Sequence, residues 1–379
     1  MHIGYVTSEY PHSRFDVPVG GIGTFTRTIA EALVHRGNRV SVFIHSQEKD
    51  EIFNENGVEI YHIKKFRIKG LTWISNRFHF NRVLNKIIKA QGINLIEAPE
   101  WTGFTAGMQF KCPLVLRLHG SDTFFCDLES RKVKFKNKFF EKLSLLGATK
   151  IIGVSAFVAI RTKSLFGLKN DIEVIYNGVE TSSLVPDHSK IEMGSVLYFG
   201  SIIRKKGVLE LAKAFNKVVE DQPAAKLYYL GRDVVDNLTG RSTLTLVKEI
   251  LTAKAHENFI YLGLKPYSEV QEVIKTKEIV VLPSHAEAFP MSWLEAMALE
   301  KKMVTSNIGW ANELMLDKET GLTTHPNNIR KLSELILQSL KSNSIEIPSR
   351  ARKHILENFN FESLLNKNIN LYKSVINGN

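Results

Sequence analysis

The sequence predicts two doubly wound α/β domains in one chain, and three observations lead to this prediction. The chain has 379 residues, more than one hydrophobic core usually organises, so two compact units of similar length are expected. Short apolar runs recur along the whole chain and are apolar throughout instead of alternating, as in strands buried on both faces. The segments between them are long enough for helical crossovers between parallel strands. Two such domains imply a cleft between them.

The strand candidates form two sets on either side of a polar stretch. In the first half they are HIGYVTS, RVSVFIHS, VEIYHI, NLIEA, PLVLRLHG and KIIGVS, and in the second half SVLYFGS, KLYYLGR, NFIYLG, EIVVLPS and KMVTS. The first set ends after IEVIYNGVE, and TSSLVPDHSK, residues 181–190, is the predicted linker. We therefore predict domains over 1–183 and 184–360. A C-terminal helix over 361–379 is predicted to pack back on the first domain, although its pattern fits either half.

Composition and cysteine usage favour a soluble protein of a reducing compartment. The chain is 44% hydrophobic and 23% charged, which excludes bulk disorder. Its two cysteines, Cys112 and Cys126, have neither metal-ligand spacing nor a disulfide framework. No stretch reaches the ~18 apolar residues of a spanning helix. The predicted location is the cytoplasm, with peripheral contact at the inner face of the cell membrane.

The formal charge of +11 calls for an anionic partner such as nucleic acid, phospholipid or a phosphorylated ligand. Segments 131–142, RKVKFKNKFFEK, and 71–82, LTWISNRFHFNR, mix basic and aromatic residues, which suits the headgroup level of an anionic membrane. A solvated helix with a core-facing Phe stripe explains these segments equally well. Because the cations lie on many separate elements, we predict no nucleic-acid partner.

In open α/β sheets, ligands bind beyond the carboxyl ends of the strands. After the first strand, Gly20, Gly21 and Gly23 lead into an amphipathic helix. Glycines at a helix start let backbone N–H groups approach a phosphate, and the helix dipole favours an anion there. The spacing is GGxG and not GxGxxG, so a nicotinamide dinucleotide site is not expected. A tight turn without a ligand explains the glycines nearly as well.

The second half repeats this arrangement with cations in the loop. Arg204, Lys205 and Lys206 precede a helix that starts at Gly207. Acids are usually preferred at the positive end of a helix, so cations there are electrostatically unfavourable. A bound anion would make the arrangement favourable. The pattern therefore favours a phosphate site over a solvated charge run.

Two acids, Glu287 and Glu295, flank the start of a later helix in SHAEAFPMSWLEAMA. Pro290 suits the first turn of that helix, whose N-terminus is a further anion site. Glu287 would repel a diphosphate there unless it faces the hydroxyl-rich part of the same ligand, so a sugar is expected next to it. Glu295 lies about a turn and a half inside the helix from its start, within reach of a ribose. Helix capping by Glu287 and a buried ion pair for Glu295 are the structural alternatives.

The glycine loop, the basic loop and the E-x7-E pattern from Glu287 to Glu295 resemble glycosyltransferase family 4, retaining nucleotide-sugar enzymes with the GT-B fold. The resemblance covers nearly the whole chain, with IYNGVE before the linker and GWANELMLDKETGL over 309–322 in the expected order. It implies two Rossmann-like domains facing a cleft. It also implies transfer from a UDP or GDP sugar to a saccharide or lipid-linked saccharide, in bacterial cell-surface polysaccharide synthesis.

The resemblance also implies roles for individual residues. Gly21, with Gly20 and Gly23, and Lys206 would approach the donor diphosphate, and Glu295 the ribose. Glu287 would bind the donor sugar with the backbone of Phe289, Pro290, Met291 and Ser292, and the loop containing Leu264 and Lys265 would bind the base. The catalytic set implied in this way is His119, Glu287, Lys206 and Arg204.

Two departures from the family pattern concern the phosphate contacts. Ser201 stands where relatives usually carry Arg, so Arg204 is the candidate to supply that charge. Pro290 has no N–H to offer, so donor contacts there are expected from its neighbours.

No D-x-D pair occurs, because Asp122 and Asp233 are isolated, and we expect neither a metal nor a cofactor. A sugar-nucleotide epimerase of the GT-B fold and a two-lobed sugar-binding protein remain as alternatives.

Overall fold

The structure, a computed structural model, describes residues 1–14 and 20–378. It divides into two compact units, Met1–Asn177 with Glu362–Asn379, and Gly178–Phe361. Residues 15–19, which include the Pro and Val directly before the glycine motif, lie outside the described residues. Residues 181–190 lie in neither helix nor strand.

The first unit is an eight-stranded sheet with helical crossovers. Its strands are β1 (His2–Thr7), β2 (Arg39–Gln47), β3 (Glu51–Glu55), β4 (Val58–Lys64), β5 (Leu95–Pro99), β6 (Leu114–Leu118), β7 (Lys150–Gly153) and β8 (Glu173–Val174). The helices between them are α1 (Gly21–His35), α2 (Thr72–Gln91), α3 (Asp122–Leu128), α4 (Phe135–Gly147) and α5 (Ala156–Phe166).

The order of the strands identifies where a ligand should bind in this unit. The sheet runs β3-β4-β2-β1-β5-β6-β7-β8, and all neighbouring pairs are parallel except β3 with β4. The chain moves outward from β1 to β2 and β4, then returns to β5 on the other side of β1. The switch point between β1 and β5 opens a crevice at their carboxyl ends.

The second unit is a six-stranded, fully parallel sheet. Its strands are β9 (Glu192–Phe199), β10 (Lys226–Leu230), β11 (Phe259–Gly263), β12 (Lys277–Leu282), β13 (Lys302–Ser306) and β14 (Leu322–Thr324). Its helices are α6 (Val208–Asp221), α7 (Thr243–Ile250), α8 (Ala253–Glu257), α9 (Tyr267–Thr276), α10 (Met291–Ala298), α11 (Ile329–Lys341) and α12 (Glu346–Asn358). The order β11-β10-β9-β12-β13-β14 puts the switch point between β9 and β12.

The last helix, α13 (Phe361–Ile376), completes the core of the first unit. Fully buried Arg117 on β6 donates to Glu97 on β5 over 2.7 Å, and also to Asn368 on α13. Tyr372 on α13 donates to the same carboxylate over 2.8 Å. A buried charge needs such partners, because removal of one leaves the other uncompensated. The network therefore fixes α13 against the sheet.

The prediction of two doubly wound α/β units is confirmed, and the eleven predicted apolar runs correspond to β1, β2, β4 to β7 and β9 to β13. The antiparallel strand β3 was missed. It forms a hairpin with β4 through Asn56 and Gly57, both with positive φ (52° and 80°), and an Asn-Gly pair is a strong hairpin signal. Among the described residues, no helix has both the length and the apolar character needed to cross a membrane.

Candidate functional site

The basic loop of the second unit forms a tight turn at the switch point between β9 and β12. Arg204–Lys206 form a single 3-10 turn between β9 and α6. Gly207 follows with φ of +73°, and a Cβ there would lie 2.0 Å from the carbonyl oxygen of Pro283. The backbone N–H of His285 donates to the carbonyl of Lys205 over 2.7 Å. The turn is therefore locked to the loop after β12, and position 207 requires glycine.

This locking brings Lys206 and Glu287 into contact. Lys206 Nζ lies 3.1 Å from Glu287 Oε1, and Ser284 Oγ donates to the same oxygen over 3.1 Å. Both charged side chains are largely shielded from solvent, so the ion pair is stronger than an exposed one. Lys206, the residue predicted to bind phosphate, and Glu287, the residue predicted to bind the sugar, thus form one polar cluster at the edge of the sheet.

Glu295 lies on α10 and receives a hydrogen bond from Tyr267 at the start of α9, over 3.0 Å. Burial raises the pKa of Glu295 to about 7, although the hydrogen bond from Tyr267 and the charge of Lys206 oppose the shift. The ion pair with Arg or Lys that we considered as an alternative is absent from the described residues around Glu295. Near neutral pH this carboxyl group is therefore close to its titration midpoint.

Arg204 points at an acid that the sequence analysis did not consider. Its guanidinium binds Asp236 through two hydrogen bonds of 2.8 and 2.9 Å. The bonds from Arg204 lower the pKa of buried Asp236 to about 2, against the effect of burial. Ser201 offers its carbonyl to Tyr198 over 2.7 Å. The charge of Arg204 is thus already compensated, and its predicted role as a phosphate ligand stays a prediction.

The remaining predicted donor residues of this unit lie at two helix starts. Leu264 and Lys265 connect β11 to α9; Leu264 is exposed, and Lys265 forms an ion pair with Glu269 over 2.8 Å. Pro290 is the N-cap of α10 and not, as predicted, part of its first turn. Met291 and Ser292 open the helix, whose first N–H groups have no intrahelical acceptor. Phe289 is buried against Phe359.

In the first unit, the glycines stand at the start of α1, as the pattern indicates. Gly20 is the N-cap, and the buried N–H of Gly23 donates to Glu9 Oε1 over 3.3 Å. A carboxylate from the loop after β1 therefore already lies at this helix end. Gly21 is exposed, and a Cβ there would contact no heavy atom within 4 Å. The start of α1 is thus accessible to solvent at Gly21, but packing within the protein does not require glycine at this position.

His119 directly follows β6, with its ring packed edge-on against Phe25 of α1 at 5.1 Å between centroids. Burial and the neighbouring charge of Arg117 lower the pKa of His119 to about 3, so the imidazole is neutral at physiological pH. Its backbone N–H donates to Glu100 Oε2 over 3.0 Å. Burial raises the pKa of Glu100 to about 8, and its Oε1 has no hydrogen-bond partner among the described residues.

Sequence reasoning missed the residues that hold these groups in place. They are Ser284, Tyr267, Asp236, Glu9 and Glu100. Two of them had a usable signal. Glu9 and Glu100 each follow a strand of the switch point within three residues, the position at which ligand-binding residues are expected. Asp236 comes from a loop 32 positions after Arg204, and Tyr267 is the first residue of α9, 28 positions before Glu295, so no local pattern indicates either contact.

Two family models match this chain, one over the region of the first sheet and one over the region of the second sheet. Residues 19–183 match the description Glycosyltransferase Family 4, and residues 190–357 match Glycosyl transferases group 1. Together the two matches extend over most of the chain.

Individual relatives are distant but extend over most of the chain. An uncharacterised glycosyltransferase of Methanocaldococcus jannaschii is 27% identical, over 86% of this chain and 86% of its own. The N,N'-diacetylbacillosaminyl-diphospho-undecaprenol alpha-1,3-N-acetylgalactosaminyltransferase of Campylobacter jejuni is 26% identical, over 85% of this chain and 87% of its own. Among solved structures, Anabaena HepE in complex with UDP and glucose superposes with a TM-score of 0.78 at 18% identity, covering 99% of this chain and 100% of HepE. This last likeness concerns the fold.

Proposed function

We propose that this chain, which belongs to glycosyltransferase family 4 and has the GT-B fold, transfers a sugar from a nucleoside-diphosphate donor to a saccharide or lipid-linked saccharide with retention at the anomeric carbon. The observation that carries the donor assignment is the contact between Lys206 and Glu287 at the switch point of the second unit. Binding of UDP by HepE and the lipid-linked acceptor named for the Campylobacter relative support this class of substrates. Cell-surface polysaccharide synthesis is the proposed context.

The donor would bind with its diphosphate at Lys206 and its sugar at Glu287. The ammonium group exchanges its contact with the carboxylate for one with a phosphate oxygen, and Glu287 then accepts hydrogen bonds from sugar hydroxyls. The open start of α10, at Met291 and Ser292, adds backbone donors and a favourable dipole. Leu264 and Lys265 would contact the base. In the first unit, Gly21 is proposed to approach the diphosphate.

In the reaction, the acceptor oxygen bonds to the anomeric carbon from the face on which the bond from that carbon to the phosphate oxygen breaks, and the acceptor proton passes to the departing phosphate oxygen. Negative charge develops on the departing diphosphate. We propose that Lys206 and the helix starts stabilise it without a metal ion, since a preorganised donor of this kind contributes ~3 kcal/mol in the transition state. Full turnover in EDTA would support metal independence, and a requirement for Mg²⁺ or Mn²⁺ would contradict it.

A thermal-shift screen against UDP, GDP and ADP sugars tests the function, because a ligand that binds the native state raises its stability. The stabilising donor is then assayed with lipid-linked saccharides, and NMR of the product reports the anomeric configuration. Inversion would refute retention. Conversion of the donor sugar without an acceptor would instead indicate an epimerase, and the absence of any nucleotide binding would contradict the proposal as a whole.

The proposed contact between Glu295 and the ribose predicts a pH dependence. The carboxylate form accepts hydrogen bonds from both ribose hydroxyls, and the pKa of the group is about 7 in the folded protein. We therefore expect kcat/KM for the donor to fall by up to about 10-fold per pH unit below pH 7 and to level off above it. Glu295→Gln should abolish this dependence, measured between pH 5.5 and 8.5. An unchanged profile in the variant would exclude Glu295 as its source.

We also propose that the first unit docks on anionic membrane lipid. The segments that the sequence analysis singled out come together on α2 and α4: Trp73 packs on Phe140 at 4.9 Å, and Lys136 Nζ lies 4.5 Å from the Trp73 ring. The adjacent side chains of Phe78 and Phe135 are 72% and 85% exposed. Exposed rings among lysines fit a headgroup layer better than a core-facing Phe stripe does.

Vesicle flotation tests this surface. The protein should float with vesicles that contain about 30% phosphatidylglycerol at low salt and stay down with neutral vesicles, because lysines near an anionic surface each contribute roughly 1 kcal/mol. Phe135→Ser combined with Phe78→Ser should weaken binding strongly. Ile52→Ser, at an exposed apolar position on the edge strand β3, is the matched control. Failure of the wild type to float, or an equal effect of the control, would remove the proposal.

A further inference from the structure

A depression lies in the first unit, beyond the carboxyl ends of β2 and β5. It has a volume of about 530 Å³, a size typical of small-molecule sites. It lies on the sheet edge at which His119 stands, because β2 and β5 flank β1 and β6 follows β5. Its lining residues are His45, Ser46, Lys65, Gly70, Thr72, Trp73, Asn76, Arg77, Thr102 and Phe104.

The lining carries positive charge without a compensating acid. Lys65 and Arg77 are its cations, and none of the described residues that line the cavity is Asp or Glu. The guanidinium of Arg77 donates to the backbone carbonyls of Phe104, Trp73 and Gly103 at 3.0 to 3.1 Å, so it is held in place by neutral acceptors. In the part of the chain that the structure describes, the Lys65 ammonium forms no ion pair. A fixed guanidinium beside an ammonium without an ion-pair partner favours an anionic occupant.

Aromatic rings form the other wall. The His45 ring stacks on Phe104 with 3.5 Å between centroids and an angle of 10°. Trp73 is 37% exposed at the rim, with Phe140 on one side of it. A flat aromatic surface beside cations suits a ligand that has both an apolar ring face and a charged group. A sugar phosphate has both features.

His45 provides a neutral hydrogen-bonding group in this cavity. Burial and the charge of Arg77 lower the pKa of His45 to about 3, and its Nδ1 lies 3.0 Å from Ser46 Oγ. Nε2 is therefore the nitrogen left for a ligand. Ser46 and Thr102 both have positive φ, 64° and 53°. Such strain at two non-glycine residues of one cavity is what a preorganised site shows.

We propose that this cavity binds the phosphorylated part of the acceptor, a saccharide carrying a phosphate or diphosphate group. Lys65 and Arg77 would bind the phosphate, Trp73 the sugar ring and His45 a hydroxyl group. The inference rests on the proposed function, since it assigns the acceptor of the same transfer. The adjoining exposed rings and lysines of α2 and α4 would allow the phosphate to be lipid-linked.

The experiment uses the full-length protein and two probes, glucose 1-phosphate in solution and a polyprenyl diphosphate in neutral vesicles. Calorimetry or flotation gives the affinity, and hydrogen exchange locates the bound probe. We expect protection over 65–77 and around 102–104, and binding at least about 10-fold weaker in Lys65→Gln and Trp73→Ala. Arg77 is not substituted, because it holds three carbonyls. Lys89→Gln, in the last turn of α2, should bind as the wild type does.

The two probes distinguish a soluble from a lipid-linked phosphate, and Lys65-dependent binding of either supports the inference. Binding that does not depend on Lys65 and Trp73, or that protects other segments, would overturn it. Nucleotide binding and slow donor hydrolysis are measured in the wild type and in Lys89→Gln, in which they should be equal. If these donor activities are present in the wild type but neither probe protects 65–77, the acceptor site fails alone. If they are absent altogether, the proposed function fails.

Discussion

Lys206→Ala is expected to lower the rate of sugar transfer by at least about 100-fold while the protein remains folded. The ammonium lies at the switch point of the second sheet, 3.1 Å from Glu287, and is the proposed counter-charge for the departing diphosphate. Loss of one preorganised transition-state donor typically costs 100- to 1000-fold in kcat. The effect should appear in kcat more than in donor KM, because charge on the leaving group grows as the bond breaks. Single-turnover kinetics with the donor found by thermal shift measures it.

A second variant separates this catalytic effect from a structural one. Without Lys206, the poorly exposed carboxylate of Glu287 keeps the Ser284 hydrogen bond but loses its cation, so Lys206→Ala should also reduce stability. Adding Glu287→Gln removes the unpaired charge and should restore the melting temperature but not the activity. Lys213→Ala, on the exposed side of α6, is the matched control. Recovery of transfer together with stability would contradict the proposed roles of both Lys206 and Glu287.

The fold could be predicted because most of its strands correspond to short apolar runs that can be recognised in the sequence. Runs such as VVL within β12 are apolar on both faces, which is typical of a parallel sheet covered by helices. Strands β8 and β14 escaped notice because they have two and three residues, too few for a pattern. The pattern of α13 by itself fits either domain, because the residues that bind it in the first unit, Glu97 and Arg117, are more than 250 positions away in the chain.

The sequence indicates which residues to expect at the candidate site, but not which of them contact each other. The sequence places Lys206 after one strand and Glu287 after another, and the rule for open sheets brings both to one edge. That they contact each other depends on the φ of Gly207 and its close approach to Pro283, which the glycine alone does not specify. Arg204 is the opposite case, because the contact that it makes in the structure differs from the predicted one. Its charge suggested a phosphate ligand, but Asp236 arrives from a loop 32 positions later and binds it.

His119→Ala should lower transfer by about 100-fold, and the loss should be nearly independent of pH. The resemblance to family 4 implies a histidine near the transferred sugar at this position, and we propose that His119 makes this contact. With its pKa lowered to about 3 by burial and by Arg117, the imidazole is neutral throughout the working range and acts as a fixed hydrogen-bonding group. The measurement is kcat between pH 5.5 and 9 in the wild type and the variant. A titration near pH 6.5 that disappears with the side chain would mean that His119 acts as an acid or base instead.

Glu100 positions His119 through the backbone, so its variants test the same geometry. The group faces Glu141 of α4, the N–H of His119 and the N–H of Gly120. With its pKa raised to about 8, it folds as the neutral acid. Its contribution to stability is complete below its ordinary pKa near 4.5 and is lost as the pH rises through 8.

Glu100→Gln keeps a neutral acceptor, so it should retain most activity and flatten the decline of stability up to pH 8. Glu100→Ala should lose activity as His119→Ala does. Equal loss in both Glu100 variants would show that the carboxyl group acts directly and not through the turn that carries His119.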